Sequence, residues 1–219
     1  MKIIITGATG MVGNLVLQKA LASDKITEVI SFSRKPTEMK HQKINEFRIE
    51  DFENYSPFRE KFKNVDIGIF CIGVYTGAVK DEMFKKITVD YAVAFAHEVQ
   101  KQSPKATLCL LSGAGADRTE KSKTAFAKYK GMAENKISKM DLAFYSFRPA
   151  YIYPVVPRKE PNIGYKLLRI FYPVLKLFGK KYSIKSTELA SAILNVGING
   201  ADNQILENKD ILKYINTKR

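Results

Sequence analysis

The chain has 219 residues, of which 45% are hydrophobic and 26% are charged, and these values suit a globular protein with one full hydrophobic core. Lys and Arg number 36 against 22 Asp and Glu, so the formal net charge is +14 at pH 7. The positive charge favours anionic ligands, but the basic residues are scattered and no nucleic-acid-binding motif accompanies them. We therefore expect no specific nucleic-acid partner.

Cysteine and histidine usage argues against a metal centre. Cys71 and Cys109 lie in apolar segments and belong to no Cys-x-x-Cys pair, which predicts buried, reduced thiols and a cytoplasmic location. His41 and His97 do not stand at metal-ligand spacing. No signal peptide is visible and no uninterrupted apolar run approaches the length that crosses a bilayer, so we expect no membrane association.

The first predicted elements are a buried strand, a tight turn and a helix. Apolar residues 3–5 are followed by Gly7, Gly10 and Gly13, and a helical pattern covers residues 11–22. Glycines let the chain bend sharply and lie close to a ligand, while the helix N-terminus presents unpaired N–H groups and the positive end of its dipole. The Gly-x-x-Gly-x-x-Gly spacing therefore predicts a phosphate site.

With its flanking residues, this stretch, Thr6-Gly-Ala-Thr-Gly-Met-Val-Gly13, resembles the short-chain dehydrogenase/reductase superfamily, especially its extended and atypical branches. The resemblance implies that the phosphate belongs to a dinucleotide cofactor. It also implies that Thr9, Met11 and Val12 contact this cofactor together with the glycines.

The predicted second strand, residues 27–33, ends in the basic sequence Ser33-Arg34-Lys35. In NAD-binding Rossmann proteins an acidic residue closes this strand and binds the ribose 2′-hydroxyl. Here the planar guanidinium of Arg34 can pair with a 2′-phosphate, and Lys35 adds positive charge. An acidic residue at this position would repel the 2′-phosphate of NADP(H), and here the position is basic. The sequence therefore predicts NADP(H) as the cofactor.

Strands and helices continue to alternate along the chain. This alternation predicts an α/β fold with a doubly wound parallel sheet, the Rossmann fold. We expect a single domain over residues 1–219, in which residues 151–205 form a small substrate-side or lid region. The ligand is expected at the carboxyl ends of the strands. The further predicted strands cover 43–50, 65–71, 106–112, 142–148 and 204–207, and the further helices cover 55–63, 83–101, 123–140 and 187–196.

The superfamily resemblance implies cofactor contacts beyond the glycine turn. A residue in the place of Asp51 hydrogen-bonds the adenine ring, and Gly73 is the small residue that lets the fourth strand approach the cofactor. The residues after an Arg-Pro pair, here Arg148 and Pro149, approach the nicotinamide. The complete expected set is Gly7, Thr9, Gly10, Met11, Val12, Gly13, Ser33, Arg34, Lys35, Asp51, Phe52, Cys71, Ile72, Gly73, Lys130, Pro149, Ala150 and Tyr151.

Members of the superfamily use a serine after the fifth strand and a Tyr-x-x-x-Lys pair on the next helix. Residues four apart share one helix face, so the lysine lowers the tyrosine pKa and the tyrosine exchanges a proton with the substrate oxygen. Ser112 and Lys130 stand at the corresponding positions, but the tyrosine position is Phe126. Tyr129 precedes Lys130 by one residue, and we expect it to point about 100° away around the helix.

Several matching pieces make the chain most similar to the atypical members related to the HIV Tat-interacting oxidoreductase-like proteins. Those relatives retain the tyrosine, and this sequence departs from them at Phe126. The matching pieces are Cys71-Ile-Gly73, Leu110-Leu-Ser-Gly-Ala-Gly-Ala-Asp117, Lys130-Gly131, Phe147-Arg-Pro149 and Leu206-Glu-Asn208.

Two functions are compatible with the sequence. In the first, which we favour, the chain binds NADP(H) as a regulator or scaffold that contacts a protein partner or a second copy of itself. In the second, it is an NADPH-dependent oxidoreductase or epimerase-type enzyme for an unidentified small-molecule substrate. The proton donor is then another residue, such as Tyr75, Tyr151 or Tyr153.

The apolar and basic segment 162–178 is interpreted as a lid or a dimer surface. A membrane-surface helix fits it less well, because its apolar residues surround the predicted helix and Pro173 interrupts it.

Overall fold

Parallel strands that alternate with helices make up the chain. The structure is a computed structural model that describes residues 1–156 and 182–216. The strands are β1 (Lys2–Thr6), β2 (Glu28–Ser33), β3 (Ile44–Arg48), β4 (Ile67–Phe70), β5 (Thr107–Leu111), β6 (Ala143–Arg148), β7 (Tyr151–Tyr153), β8 (Ser183–Lys185) and β9 (Ile205–Glu207). The helices are α1 (Met11–Leu21), α2 (Asp81–Lys85), α3 (Tyr91–Gln102), α4 (Ala125–Ser138), α5 (Ser186–Asn199) and α6 (Asn208–Ile211). Short 3₁₀ helices cover Ser56–Phe62 and Leu212–Tyr214, and a π-helical turn covers Lys86–Asp90.

Seven of the strands form one sheet in the order β3-β2-β1-β4-β5-β6-β9. Every neighbouring pair in this sheet is parallel. The strand order changes direction between β1 and β4, and in such sheets a crevice forms there, at the carboxyl ends of the strands. This topology confirms the predicted Rossmann fold.

Helices cover both faces of the sheet, which is why its central strands are apolar on both sides. On one face α1 packs against α5, and Val16 and Ile193 are buried between these helices and the strands. On the other face α3 and α4 pack over an aromatic cluster. In this cluster the ring of Phe62 lies 5.5 Å from Phe32 and 5.9 Å from Phe95, centroid to centroid. These two cores hold the strand ends in register.

Three local features differ from the predicted elements. Segment 83–101, predicted as one helix, contains the π-helical turn between α2 and α3, and the apolar spacing of three to four residues runs through this turn without revealing it. Segment 55–63 forms a 3₁₀ helix. Strands β7 and β8 pair in a separate two-stranded parallel sheet, and three-residue strands are too short for a periodic pattern.

The interpretation of segment 162–178 as a lid or dimer surface concerns residues outside those that the structure describes. The same holds for residues 157–181 of the proposed substrate-side region. The division of the chain, one domain with residues 151–205 on the substrate side, therefore stays a prediction.

Helix α4 lies in direct backbone contact with the loop that follows β5. The amide of Asp117 donates a hydrogen bond to the carbonyl oxygen of Ala127 over 2.9 Å. A Cβ atom at Gly131 would lie only 1.8 Å from the carbonyl oxygen of Asp117. The absence of a side chain at Gly131 permits this approach, which brings Lys130 to the carboxyl end of β5.

Replacement of Gly131 by alanine is expected to destabilise the protein, although alanine is the better helix former by about 1 kcal/mol. The added methyl group would overlap the Asp117 carbonyl, and overpacking of this kind costs roughly 1–3 kcal/mol. Urea unfolding followed by circular dichroism measures the change. Lys128→Ala, an exposed change on the same helix, is the control and should alter the free energy of unfolding by less than about 0.5 kcal/mol. A Gly131→Ala variant as stable as the wild type would contradict the contact.

Candidate functional site

The glycine turn between β1 and α1 is packed too closely for side chains. Gly7 has a φ of +81°, and a Cβ atom there would lie 2.6 Å from the carbonyl carbon of Cys71. A Cβ atom at Gly13 would lie 2.2 Å from the carbonyl oxygen of Gly7, which also accepts a hydrogen bond from the amide of Gly10 over 2.9 Å. The first turn of α1 thus lies against the turn, and the turn lies against the end of β4.

The N-terminus of α1 is suited to an anion. Its N-cap residue is Gly10, no side chain caps the helix, and no acidic residue occupies its first turn. The amides of such an end are available to a ligand, and the helix dipole favours negative charge there. The turn therefore has the form that a dinucleotide pyrophosphate requires.

A cavity of about 1030 Å³ opens next to this turn, at the carboxyl ends of the central strands. Its walls come from the first turns of α1, the segments after β4, β5 and β6, and helix α4. Twelve of the residues that the sequence predicts to touch a ligand line it, namely Thr9, Gly10, Met11, Val12, Cys71, Ile72, Gly73, Ser112, Lys130, Pro149, Ala150 and Tyr151. Residues without a sequence-based assignment also line it, among them Asn14, Leu15, Gln18, Ile152 and Ser186.

The other predicted cofactor residues lie outside this cavity. Gly7 and Gly13 shape the turn from behind. Arg34 and Lys35 are exposed after β2, and the hydroxyl of Ser33 donates to the carbonyl oxygen of Lys35 over 2.5 Å.

The expected adenine contacts follow β3. Asp51 is exposed, and its carboxylate accepts a hydrogen bond from the amide of Glu53 over 3.1 Å. Phe52 is 5% exposed, and its ring lies 5.5 Å from that of Tyr91. The roles of Ser33, Asp51 and Phe52 stay predictions.

Lys130 and Phe126 both line the cavity from α4. The ammonium group of Lys130 is buried and donates to the carbonyl oxygen of Leu111 over 2.9 Å. Burial disfavours the charged amine and lowers the pKa of Lys130 to about 8. The ring of Phe126 is packed on Gly113, where a Cβ atom would lie 2.5 Å from the ring carbon Cζ.

Tyr129 points away from the cavity, as predicted from its place on the helix. Its hydroxyl donates to the carboxylate of Asp81 over 2.6 Å, and its ring lies 5.9 Å from that of Phe84 on α2. Lys128 is exposed on the outer side of α4. Of the three neighbouring residues, only Lys130 reaches the site.

Ser112 is held by a buried carboxylate. Its hydroxyl donates to Oε1 of Glu134 over 2.7 Å, and the hydroxyl of Ser146 donates to the same oxygen over 2.8 Å. Arg148 donates to both carboxylate oxygens of Glu134, from Nε over 3.0 Å and from Nη2. Its Nη1 also donates to Glu207 over 2.9 Å. The network therefore joins Ser112 to the segment before Pro149.

Sequence reasoning assigned no role to Glu134 or Asn208. Glu134 stands four residues after Lys130 on one helix face, and that spacing is the signal that could have placed it at the site. The amide of Ala150 donates to the side-chain oxygen of Asn208, 58 residues further along the chain, over 2.9 Å. No sequence pattern points to that contact.

Among the described residues, no group of three or more His, Cys, Asp or Glu side chains could hold a metal ion. No helix within residues 1–156 and 182–216 is long and apolar enough to cross a membrane.

Replacement of Lys130 by methionine is expected to stabilise the cofactor-free protein at pH 7, on the order of 1–3 kcal/mol, because it removes a buried charge. The folded-state pKa of Lys130, about 8, lies below the ordinary lysine value of 10.5. Between these values the unfolded wild-type chain binds the extra proton, so wild-type stability rises with pH and the advantage of methionine shrinks. Thermal unfolding at pH 7 and pH 9.5 measures this difference.

Lys128→Met, which changes an exposed amine on the same helix, is the matched control and should show no such pH-dependent difference. A stabilisation by Lys130→Met that is the same at both pH values would contradict the lowered pKa.

Comparison with known proteins agrees with this geometry. A family model described as NAD(P)H-binding matches residues 7–196. No curated protein sequence is similar enough to match.

Solved structures of similar fold include reductases and epimerases. Gre2 from Candida albicans, in complex with NADPH, has a TM-score of 0.72 at 13% identity, over 94% of this chain and 77% of that chain. UDP-glucose 4-epimerase from Thermotoga maritima, with UDP-glucose, has a TM-score of 0.70 at 16% identity, over 98% and 81%. WbmH from Bordetella bronchiseptica, in complex with NAD⁺, has a TM-score of 0.71 at 14% identity, over 94% and 75%.

These similarities establish the fold, which is the one expected from the resemblance to short-chain dehydrogenases/reductases. The closer resemblance to the Tat-interacting proteins stays a prediction. The family model covers residues 7–196, which is most of this chain. The chain therefore belongs to the NAD(P)H-binding family of Rossmann-fold proteins.

Proposed function

We propose that this protein binds NADP(H) and acts as a cofactor-dependent regulator or scaffold, without the hydride-transfer chemistry of related reductases. The observation that carries the proposal is the side chain of Phe126, which lines the cavity together with Ser112 and Lys130 and carries no hydroxyl group. A nicotinamide cofactor that is held beside these three residues lacks the proton donor that a Tyr-x-x-x-Lys pair supplies.

The glycine turn and the N-terminus of α1 would hold the pyrophosphate, through backbone amides and the helix dipole. The ammonium group of Lys130 would hold the nicotinamide ribose, and Gly73 and Ala150 line the wall beside it. When bound, the nicotinamide supplies or accepts a hydride. What the chain must add for carbonyl reduction is a proton for the substrate oxygen.

The chain provides no such proton from the three motif positions. The proton of Ser112 is directed to Glu134, so this hydroxyl can accept a hydrogen bond from the cavity but does not donate one. One N–H of Lys130 is donated to the carbonyl oxygen of Leu111 and the other two would be donated to the nicotinamide ribose, while the ring of Phe126 neither donates nor accepts a proton. This arrangement supports binding without turnover.

The preference for NADP(H) rests on Arg34 and Lys35. Both side chains are exposed directly after β2, at the carboxyl edge of the sheet. A guanidinium at this place can bind a 2′-phosphate with two charge-assisted hydrogen bonds.

Arg34→Ala is expected to weaken NADPH binding by roughly 10–100-fold, since a hydrogen bond to a charged group contributes about 1.5–3 kcal/mol. NADH binding should stay unchanged, because NADH has no 2′-phosphate. Isothermal titration calorimetry of both cofactors measures the two affinities. Lys101→Ala removes one positive charge from the last turn of α3, shortly before β5 begins, and should change neither affinity. Equal wild-type affinities for NADPH and NADH would contradict the assignment.

For chemistry, the wild-type protein should oxidise NADPH with a panel of carbonyl compounds no faster than a Lys130→Ala variant. Phe126→Tyr restores a phenol one helical turn before Lys130, and general acid catalysis contributes typically about 10²–10⁴-fold. We expect this variant to gain NADPH oxidation, measured at 340 nm, while Phe126→Leu remains inactive. Lysine-dependent wild-type turnover would overturn the non-catalytic proposal.

A second candidate function is that of an NADPH-dependent oxidoreductase or epimerase-type enzyme with a different proton donor. Tyr75 and Tyr151 favour it, because both line the cavity. Tyr153, which the sequence also suggested, is not among the lining residues. If wild-type turnover is found, its loss in Tyr75→Phe or Tyr151→Phe identifies the donor.

A further inference from the structure

Lys130 is the one charged side chain among the described residues that line the cavity. Apolar side chains line the same cavity, among them Met11, Leu111 and Phe126. Lys130 is 9% exposed, and within the described chain the carbonyl oxygen of Leu111 is the one hydrogen-bond acceptor for its ammonium group. Two of its three N–H positions are therefore without a protein acceptor there.

The groups that face Lys130 do little to retain its proton. Glu134, on the same helix, attracts the ammonium charge, but its carboxylate already accepts hydrogen bonds from Ser112, Ser146 and Arg148. The thiol of Cys71 is neutral at pH 7, because burial raises its pKa to about 12.

In a Tyr-x-x-x-Lys site the phenol is the acidic neighbour that the ammonium charge stabilises. Here the position is Phe126, so that partner is missing and desolvation dominates. At pH 7 roughly one-tenth of an amine with a pKa of about 8 is neutral. For a lysine with a pKa of 10.5 the neutral fraction is about one part in three thousand.

We propose that Lys130 is a carbonyl-reactive amine, which captures small apolar aldehydes as an imine when the cavity holds no cofactor. The nitrogen lone pair attacks the carbonyl carbon, and a C=N bond replaces the C=O bond. The carbonyl oxygen leaves as water with the two protons of the neutral amine, so no oxidant or reductant takes part. The apolar part of the wall favours aldehydes with a hydrocarbon chain, and the N-terminus of α1 disfavours cationic ones.

This activity does not depend on the proposed regulatory function. It uses the cofactor-free cavity, whereas the proposed function places the nicotinamide ribose on the same amine. The bound cofactor would therefore protect Lys130.

The test is reductive trapping of the full-length, cofactor-free protein with pentanal and sodium cyanoborohydride, followed by peptide mass spectrometry. Lys130 should gain a pentyl group about tenfold or more faster than Lys128 at pH 7, and its rate should level off above pH 8. Betaine aldehyde, which carries a quaternary ammonium group, should label Lys130 more slowly than pentanal relative to Lys128.

Labelling of Lys130 no faster than that of Lys128 would overturn the inference. This comparison is made within one folded protein and needs no variant. Lys130→Arg, which keeps the charge but forms no imine under these conditions, confirms the assignment of the labelled peptide. Saturating NADPH should suppress the labelling of Lys130. Rapid labelling that NADPH leaves unchanged would support the reactive amine while contradicting the placement of the cofactor in the proposed function.

Discussion

The backbone contact between the glycine turn and the end of β4 is the constraint on which the site depends. The space that side chains of Gly7 and Gly13 would need is filled by the backbone of Cys71 and of Gly7 itself. This contact brings the N-terminus of α1 to the middle of the sheet, where the strand order changes direction. Because β4 and β5 are neighbours, the same contact determines how far the turn lies from Ser112 and Lys130. A binding cavity follows from the packing of main chain on main chain.

The fold was predictable because its signals are local and repeated. Apolar strands alternate with amphipathic helices through most of the chain, and a parallel sheet is the arrangement that buries strands of this kind on both faces. The glycine spacing likewise predicts the turn. The π-helical turn and the paired strands β7 and β8 could not be read in the same way. The π-helical turn leaves the apolar spacing of three to four residues undisturbed, and β7 and β8 are each only three residues long.

The candidate site was predictable in part. The place of Ser112 follows from the end of the fifth strand, those of Phe126 and Lys130 follow from spacing along one helix, and all three line the cavity. The hydrogen bond from Ser112 to Glu134 was not predictable, since it depends on the side-chain rotamer and on the burial of a carboxylate between α4 and β6. That bond matters for function, because it determines whether the serine offers the cavity a donor or an acceptor.

Holding a cofactor and supplying a proton are separable tasks in this architecture. In the proposed function main-chain amides and the dipole of α1 would hold the pyrophosphate, and α4 would contribute Lys130 to the nicotinamide ribose. The second task depends on one side-chain oxygen. The buried pair of Glu134 and Arg148 supports Ser112 independently of the residue at position 126, so the absence of a phenol there leaves this support in place. A protein of this fold can therefore retain its ligand after its chemistry has been lost.

One wall of the cavity is held in place by a residue from the far end of the described chain. The side chain of Asn208 accepts from the amide of Ala150 and donates to the carbonyl oxygen of Ser183, so it joins the segments after β6 and before α5. During synthesis on the ribosome, the glycine turn is therefore made first, and the wall opposite it is completed only after Asn208 has emerged. A nascent chain could form the glycine turn early, but it would complete the wall at Ala150 only after Asn208 has left the ribosome.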